Sequence, residues 1–431
     1  MESYRSYATQ VEQLVRELSS QRKASGHLDV RAALDGEPSR ALRAAVPLQT
    51  LRSSGAFFSS RVLGNVIAHI VAETADRESV FFDPACGAGE LLLASARLLG
   101  AEKNLEETLI RWATQLLGVD LHPEFVRVCR ARLVLEAMSQ CGVTGDLAPL
   151  AELLPNIRVK DGLTSRAFLK KTTHVIMNPP FTVRPILEQF DWATGNVSMA
   201  AMFLSHCVQH AGDGTHVVAV LPEVLRTGER YKHWRAHVEE YASIRRVRRY
   251  GQFDKYTDVD VFVAALVVGA GKGRSSPWWR TAGSRAETVS DYFDVSVGPV
   301  VPFRDKKVGV RAPFLNARSA ARWLTVWRVP TFRKYSGRLH RPPFVVIRRT
   351  SRPDDNHRAI GTIIRGSEPI AVENHLLVAR PKDRRVSTCE ALLRVLIRPE
   401  TTKWFNERIR CRHITAAALK DLPWWTESTL T

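Results

Sequence analysis

Four polar side chains stand at the ends of four short apolar runs. Asp83 closes "SVFFD" (79–83), Asp120 closes "LLGVD" (116–120), Asp161 follows "IRVK" (157–160), and Asn178 closes "HVIMN" (174–178). Runs of this kind, alternating with helical stretches, read as strands of a mostly parallel α/β sheet, whose carboxyl ends line a ligand crevice. Carboxylates there suit a cationic or amine-bearing ligand. Asp120 can accept hydrogen bonds from two ribose hydroxyls and Asp161 from an exocyclic amine. The run "DPACGAG" (83–89) adds a glycine turn that leads into a helix, where backbone can approach a ligand closely. A pyrophosphate fits this turn less well. The third glycine of a G-x-G-x-x-G turn is replaced by Leu92, and Asp83 would repel the anion. Together these residues describe a pocket for an adenosine bearing positive charge, S-adenosylmethionine.

Asn178 opens a second chemistry, because Pro179, Pro180 and Phe181 follow it. Two prolines end any strand and hold the turn rigid. An aromatic amine such as adenine N6 is a poor nucleophile, since its lone pair is delocalised into the ring. The Asn178 side-chain oxygen and the Pro179 carbonyl can each accept one N6 hydrogen, driving the nitrogen toward a tetrahedral form with its lone pair aimed at a methyl donor. Rigid acceptors of this sort lower barriers by orientation. Phe181 offers a flipped base a stacking surface, worth roughly 1–3 kcal/mol.

With these residues in view, the chain resembles the gamma-class DNA adenine-N6 methyltransferases of bacterial restriction–modification and defence systems. "DPACGAG" matches that family's cofactor motif and "NPPF" (178–181) its catalytic motif, and "GAFFSS" (55–60) precedes them in the family's order. The resemblance implies a seven-stranded Rossmann-like S-adenosylmethionine-dependent methyltransferase fold with an N-terminal helical segment and a C-terminal α+β target-recognition domain. It implies base flipping and an adenine-specific, site-specific DNA methyltransferase. Cofactor contacts are expected from Phe57, Phe58 and Ser59, from Asp83, Pro84, Ala85, Cys86, Gly87 and Gly89, and from Asp120, Leu121, Asp161, Gly162 and Asn178. Asn178, Pro179, Pro180 and Phe181 are the expected catalytic residues, without a metal. Segments of 371–425, among them "AVENHLLVARPKD" and "HITAAALKDLPWW", are similar to recognition-domain segments. Asp83 and Asp120 lie farther apart than in a minimal nucleotide-binding unit, and "AEKNLEETLIRWATQ" (101–115) is expected to add a helix between them.

The remaining sequence must position these residues. Val11, Leu14, Val15 and Leu18 fall at helical spacing within residues 1–46. Three further strands are expected: "THVVAVLP" (215–222), "IRRVRRY" (244–250) and "VFVAALVVG" (261–269), the last two as an antiparallel hairpin. "GAGKGRSSP" (269–277) reads as a linker. The expected domains are therefore 1–46, 47–270 and 271–431. Net charge is +18, and it is unevenly placed. Residues 1–240 hold 26 Lys+Arg against 27 Asp+Glu, while residues 241–431 hold 36 against 17. A neutral catalytic half joined to a basic half points to double-stranded DNA as partner through the C-terminal region. A separate restriction endonuclease or defence subunit would then do any cutting. The six cysteines form no C-x-x-C pair, and no apolar run is long enough for a membrane span, so a cytoplasmic protein is expected. RNA-base and protein-glutamine methylation use similar tetrapeptides, and a non-catalytic DNA-binding subunit is the reading from another class.

Overall fold

A computed structural model describes residues 2–20, 28–58, 60–142, 147–185, 190–254, 256–257, 259–269, 278–279, 287–409 and 412–424. The chain divides into two units, Met1–Trp278 and Trp279–Thr431. Residues 1–46 fall within the first unit. The reason is packing. Tyr7, Ala8, Val11, Leu14 and Val15 of the helix Arg5–Ser19 are buried in the same core as the helix Pro123–Cys141. That second helix is buried almost all round, as a helix sandwiched between a sheet and another helix must be. The linker expected at 269–277 lies outside the described residues apart from Gly269.

The strands of the first unit are β1 Phe81–Asp83, β2 Leu116–Asp120, β3 Ile157–Val159, β4 His174–Met177, β5 Val183–Pro185, β6 Asn196–Ser198, β7 His216–Pro222, β8 Ala242–Gln252 and β9 Asp260–Val268. Seven of them form one sheet in the order β3-β2-β1-β4-β7-β9-β8. The first five in that order run parallel, and β9 lies antiparallel to both β7 and β8. All seven match expected strands, including the antiparallel final pair. The placement of β9 inside β8 follows from side-chain type. The apolar run of β9 is buried on both faces, whereas β8 exposes Arg245, Arg246, Arg248 and Arg249, charges suited to a sheet edge.

The chain runs outward from β1 through β2 to β3, then returns to β4 on the other side of β1. The order reverses between β1 and β4, where ligands bind in open α/β sheets. The extra helix is present as Leu105–Gln115, capped by the Asn104 side chain on the Glu107 N–H at 2.9 Å. The short antiparallel pair β5–β6, directly after the Asn-Pro-Pro-Phe turn, was not foreseen.

In the second unit, strands 293–297, 376–381, 344–348, 361–364 and 325–326 form one sheet in that order. One face buries Val345, Ile347 and Ile363 against Cys389, Leu392 and Phe405 of two helices, Val386–Ile397 and Pro399–Arg408. The other buries Phe344, Val346 and Val378 with Leu315 and Val372 of a three-stranded sheet. This is the expected α+β architecture.

Candidate active site

Asp120 has local work before any ligand arrives. Its Oδ2 accepts from the Gly87 N–H at 3.0 Å and its Oδ1 from the His122 N–H at 2.9 Å. The carboxylate therefore ties the end of β2 to the glycine turn after β1, and each oxygen retains a lone-pair direction for a hydroxyl. Asp83 is 2% exposed and accepts from the Ala85 N–H at 3.0 Å. Burial pushes its carboxyl up to about 8, against the Ala85 N–H, and the nearby Asp120 pushes it the same way. Burial also raises Asp120. Carboxyls held up by desolvation gain from a cation, which favours their charged form.

The loops close on one another through small residues. Asp161 accepts from the Leu163 N–H at 2.9 Å, capping the turn Gly162–Thr164. A Cβ on Gly162 would stand 2.0 Å from the Pro84 carbonyl oxygen, so only glycine lets the loops after β3 and β1 touch. Gly55 ends the helix Leu48–Ser54 in a left-handed conformation, φ 71°, and a Cβ there would meet the Pro180 Cβ at 2.9 Å. The "GAFF" segment thus passes directly over the Asn178 turn. Phe58 then packs edge-on against Phe125, centroids 4.8 Å apart, with its ring 3.0 Å from where a Gly87 Cβ would be.

Arg132 holds the glycine turn from behind. It is 1% exposed, and its guanidinium donates to the carbonyls of Ala88 at 2.6 Å and Ala33 at 2.8 Å and to the Glu90 carboxylate at 2.7 Å. One side chain joins the glycine turn, the first turn of the following helix and the N-terminal helices.

A cavity of about 220 Å³ opens between these loops. Phe57, Phe58, Pro84, Ala85, Gly87 and Asp120 line it, as do Leu121, Asp161, Gly162, Asn178 and Pro180. Asp83 and Cys86 line a smaller adjoining cavity shared with Asn178. Three expected residues do not line these cavities. Gly89 caps the helix Glu90–Leu99, and a Cβ there would lie 2.6 Å from the Cys129 sulfur. Pro179 is buried. Phe181 packs edge-to-face on Phe253, centroids 5.2 Å apart at 85°, so this corner carries two aromatic rings where the sequence pointed to one. Ser59 lies outside the described residues.

The sequence reading missed several wall residues. His122 and Lys160 adjoin expected residues, and Thr182 and Arg184 follow the Asn178–Phe181 turn closely enough to have been suspected. The Thr182 hydroxyl is buried with no hydrogen-bond partner among the described residues. Met199 and Phe203 come from the helix Met199–His210, which no local pattern connects with the pocket.

Residues 47–250 match the family described as N-6 DNA Methylase. No curated protein matches the chain. Among solved structures, it is similar to the type IIL restriction–modification enzyme MmeI in complex with DNA, at 12% identity and a TM-score of 0.52, over 89% of this chain and 70% of that one. It is also similar to a putative class I S-adenosylmethionine-dependent methyltransferase from Listeria monocytogenes, at 12% identity and 0.43, over 63% and 83%. The EcoKI M protein of a type I restriction enzyme matches at 18% identity and 0.40, over 55% of this chain and 49% of that protein. The chain therefore spans about half the length of that type I subunit. The likeness to MmeI is one of fold. The glycine turn, strand-end carboxylates and apolar walls suit the charge and hydroxyls of S-adenosylmethionine.

Replacing Asp120 by alanine removes the acceptor of both the Gly87 and His122 N–H groups. Calorimetry with S-adenosylhomocysteine should show at least tenfold weaker binding, about 1.4 kcal/mol. An unchanged affinity would take Asp120 out of the cofactor site.

Proposed function

We propose that the chain is a site-specific methyltransferase acting on adenine N6 in duplex DNA, in a restriction–modification or related defence system in the bacterial cytoplasm. The observation that carries this reading is Asn178 at the switch between β1 and β4, facing the same cavity as Asp120 and Asp161. S-adenosylmethionine would supply the electrophilic methyl group. Asp120 and Asp161 would bind its ribose and adenine, with Asp83, Phe57 and Phe58 toward the methionine end and Leu121 and Gly162 beside the adenosine. The Asn178 carboxamide oxygen and the Pro179 carbonyl would accept the two N6 hydrogens and hold the nitrogen's lone pair out of the ring. No strong base is required, since the proton leaves after transfer. Phe181 and Phe253 would border the flipped base.

The second unit would bind the duplex, and its basic excess supports that role. Among the described residues no helix is long and apolar enough to cross a membrane. The test is mass spectrometry of nucleosides from DNA of cells expressing the full chain, alongside long-read sequencing. N6-methyladenine at one sequence motif is the expected result. N4-methylcytosine would overturn the base assignment but keep the mechanism. Methylated RNA or glutamine with unmodified DNA would overturn the substrate.

A further inference from the structure

The positive charge of the second unit is concentrated. Residues 301–350 contain 13 Lys+Arg and a single acid, Asp305. The same stretch exposes large apolar side chains, led by Phe303, which is wholly exposed at 104%, Val310 at 64% and Trp327 at 63%. Exposed apolar groups set among cations are a poor surface for water alone.

Phe303 is also held in place. It sits on a turn whose base, Val300, is buried and exchanges backbone hydrogen bonds with Val372 and Asn374. The Asp305 carboxylate accepts from the Val301 N–H at 2.8 Å and from Arg304 at 3.1 Å, while the Asp305 N–H donates to the Val301 carbonyl at 2.9 Å. From the adjacent sheet, the buried Arg333 donates to the carbonyls of Asp305 and Pro302. The lone acid of the stretch thus serves to fix the turn, and a nearly buried arginine braces it from behind. Arg304, Lys306 and Lys307 flank the ring and are exposed. Alongside, the paired strands 310–315 and 332–335 expose Arg311 opposite Lys334, with the Arg311 guanidinium 4.5 Å from the centre of the Phe332 ring.

We propose that the turn 301–307 is a DNA wedge, with Phe303 inserted against the bases or sugars of the duplex while Arg304, Lys306 and Lys307 contact the flanking phosphates. The occupant is argued from charge. Ten of the thirteen cations are exposed, against one acid, which matches a polyanion, and a rigidly presented ring among them is the arrangement with which apolar side chains enter a groove and partly unstack a step. The inference rests on the DNA-methyltransferase reading and adds to it a site where the second unit grips the duplex.

The test uses the full chain and a short duplex carrying the motif it methylates. Phe303→Ala should weaken binding about tenfold and leave the slope of log affinity against log salt unchanged, because no phosphate contact is lost. Lys306→Ala and Lys307→Ala should each reduce that slope by about 0.9. Phe303→Trp should keep the affinity. Energy transfer between dyes on the duplex ends should report a kink with the wild-type chain and a smaller one with Phe303→Ala. Melting temperature and S-adenosylhomocysteine affinity should not move, since a fully exposed ring supports neither. Wild-type affinity in Phe303→Ala overturns the wedge. So does a change in sedimentation from dimer to monomer, which would make the turn a self-association surface. A wild-type chain that methylates no DNA defeats the parent reading instead, so the two failures are separable.

Discussion

Asn178→Ala should lower methyl transfer by about a hundredfold or more, the scale of losing one preorganised polar contact in a closed site. The substituted side chain is the one that follows β4 at the sheet's switch point and faces the cavity shared with Asp120 and Asp161. In the proposed mechanism its oxygen accepts one N6 hydrogen, and without it the lone pair would return to the purine ring. Single-turnover measurement on duplex DNA isolates that step from product release. Affinity for S-adenosylhomocysteine should change little, because the carboxylates proposed to bind the adenosine remain. Phe181→Ala should act differently, weakening capture of the base more than the transfer itself. Phe181→Trp should be better tolerated, since it keeps an aromatic face beside Phe253. Full activity in Asn178→Ala would sink the mechanism.

The second large effect concerns folding. Arg132→Met should destabilise the first unit by about 3–5 kcal/mol, the range for removing one partner of a buried ion pair. Three acceptors lose their donor together: the carbonyls of Ala33 and Ala88 and the carboxylate of Glu90. The Ala88 carbonyl belongs to the glycine turn, so cofactor affinity should fall alongside the melting temperature. Combining Arg132→Met with Glu90→Gln removes the stranded charge and should return part of the stability. Thermal unfolding, followed with and without S-adenosylhomocysteine, measures both. A melting temperature equal to that of the wild-type chain would show that the three contacts contribute nothing net.

Much of the candidate site could be read along the chain, because its residues are carried by short segments. Asp83, Asp120, Asp161 and Asn178 each end an apolar run, and strand ends of an open α/β sheet must converge on one edge. The extra helix Leu105–Gln115 was equally legible, since its cap and apolar spacing are local. The basic character of the C-terminal half follows from composition alone. Other features required the folded chain. Arg132 reads as one more surface charge on a helix until the N-terminal helices cover it, and Met199 and Phe203 reach the cavity from a helix that carries no motif. Phe181 meets Phe253 across a long separation, Gly55 exists to clear Pro180, and β9 enters the sheet ahead of β8. Even Asp305, an ordinary acid in a basic stretch, becomes the brace of an exposed ring only through Val301 and Arg333. A side chain's type and its near neighbours decide what chemistry it can perform. Which distant residue lies against it depends on how the core closes, and that information is spread over the whole chain.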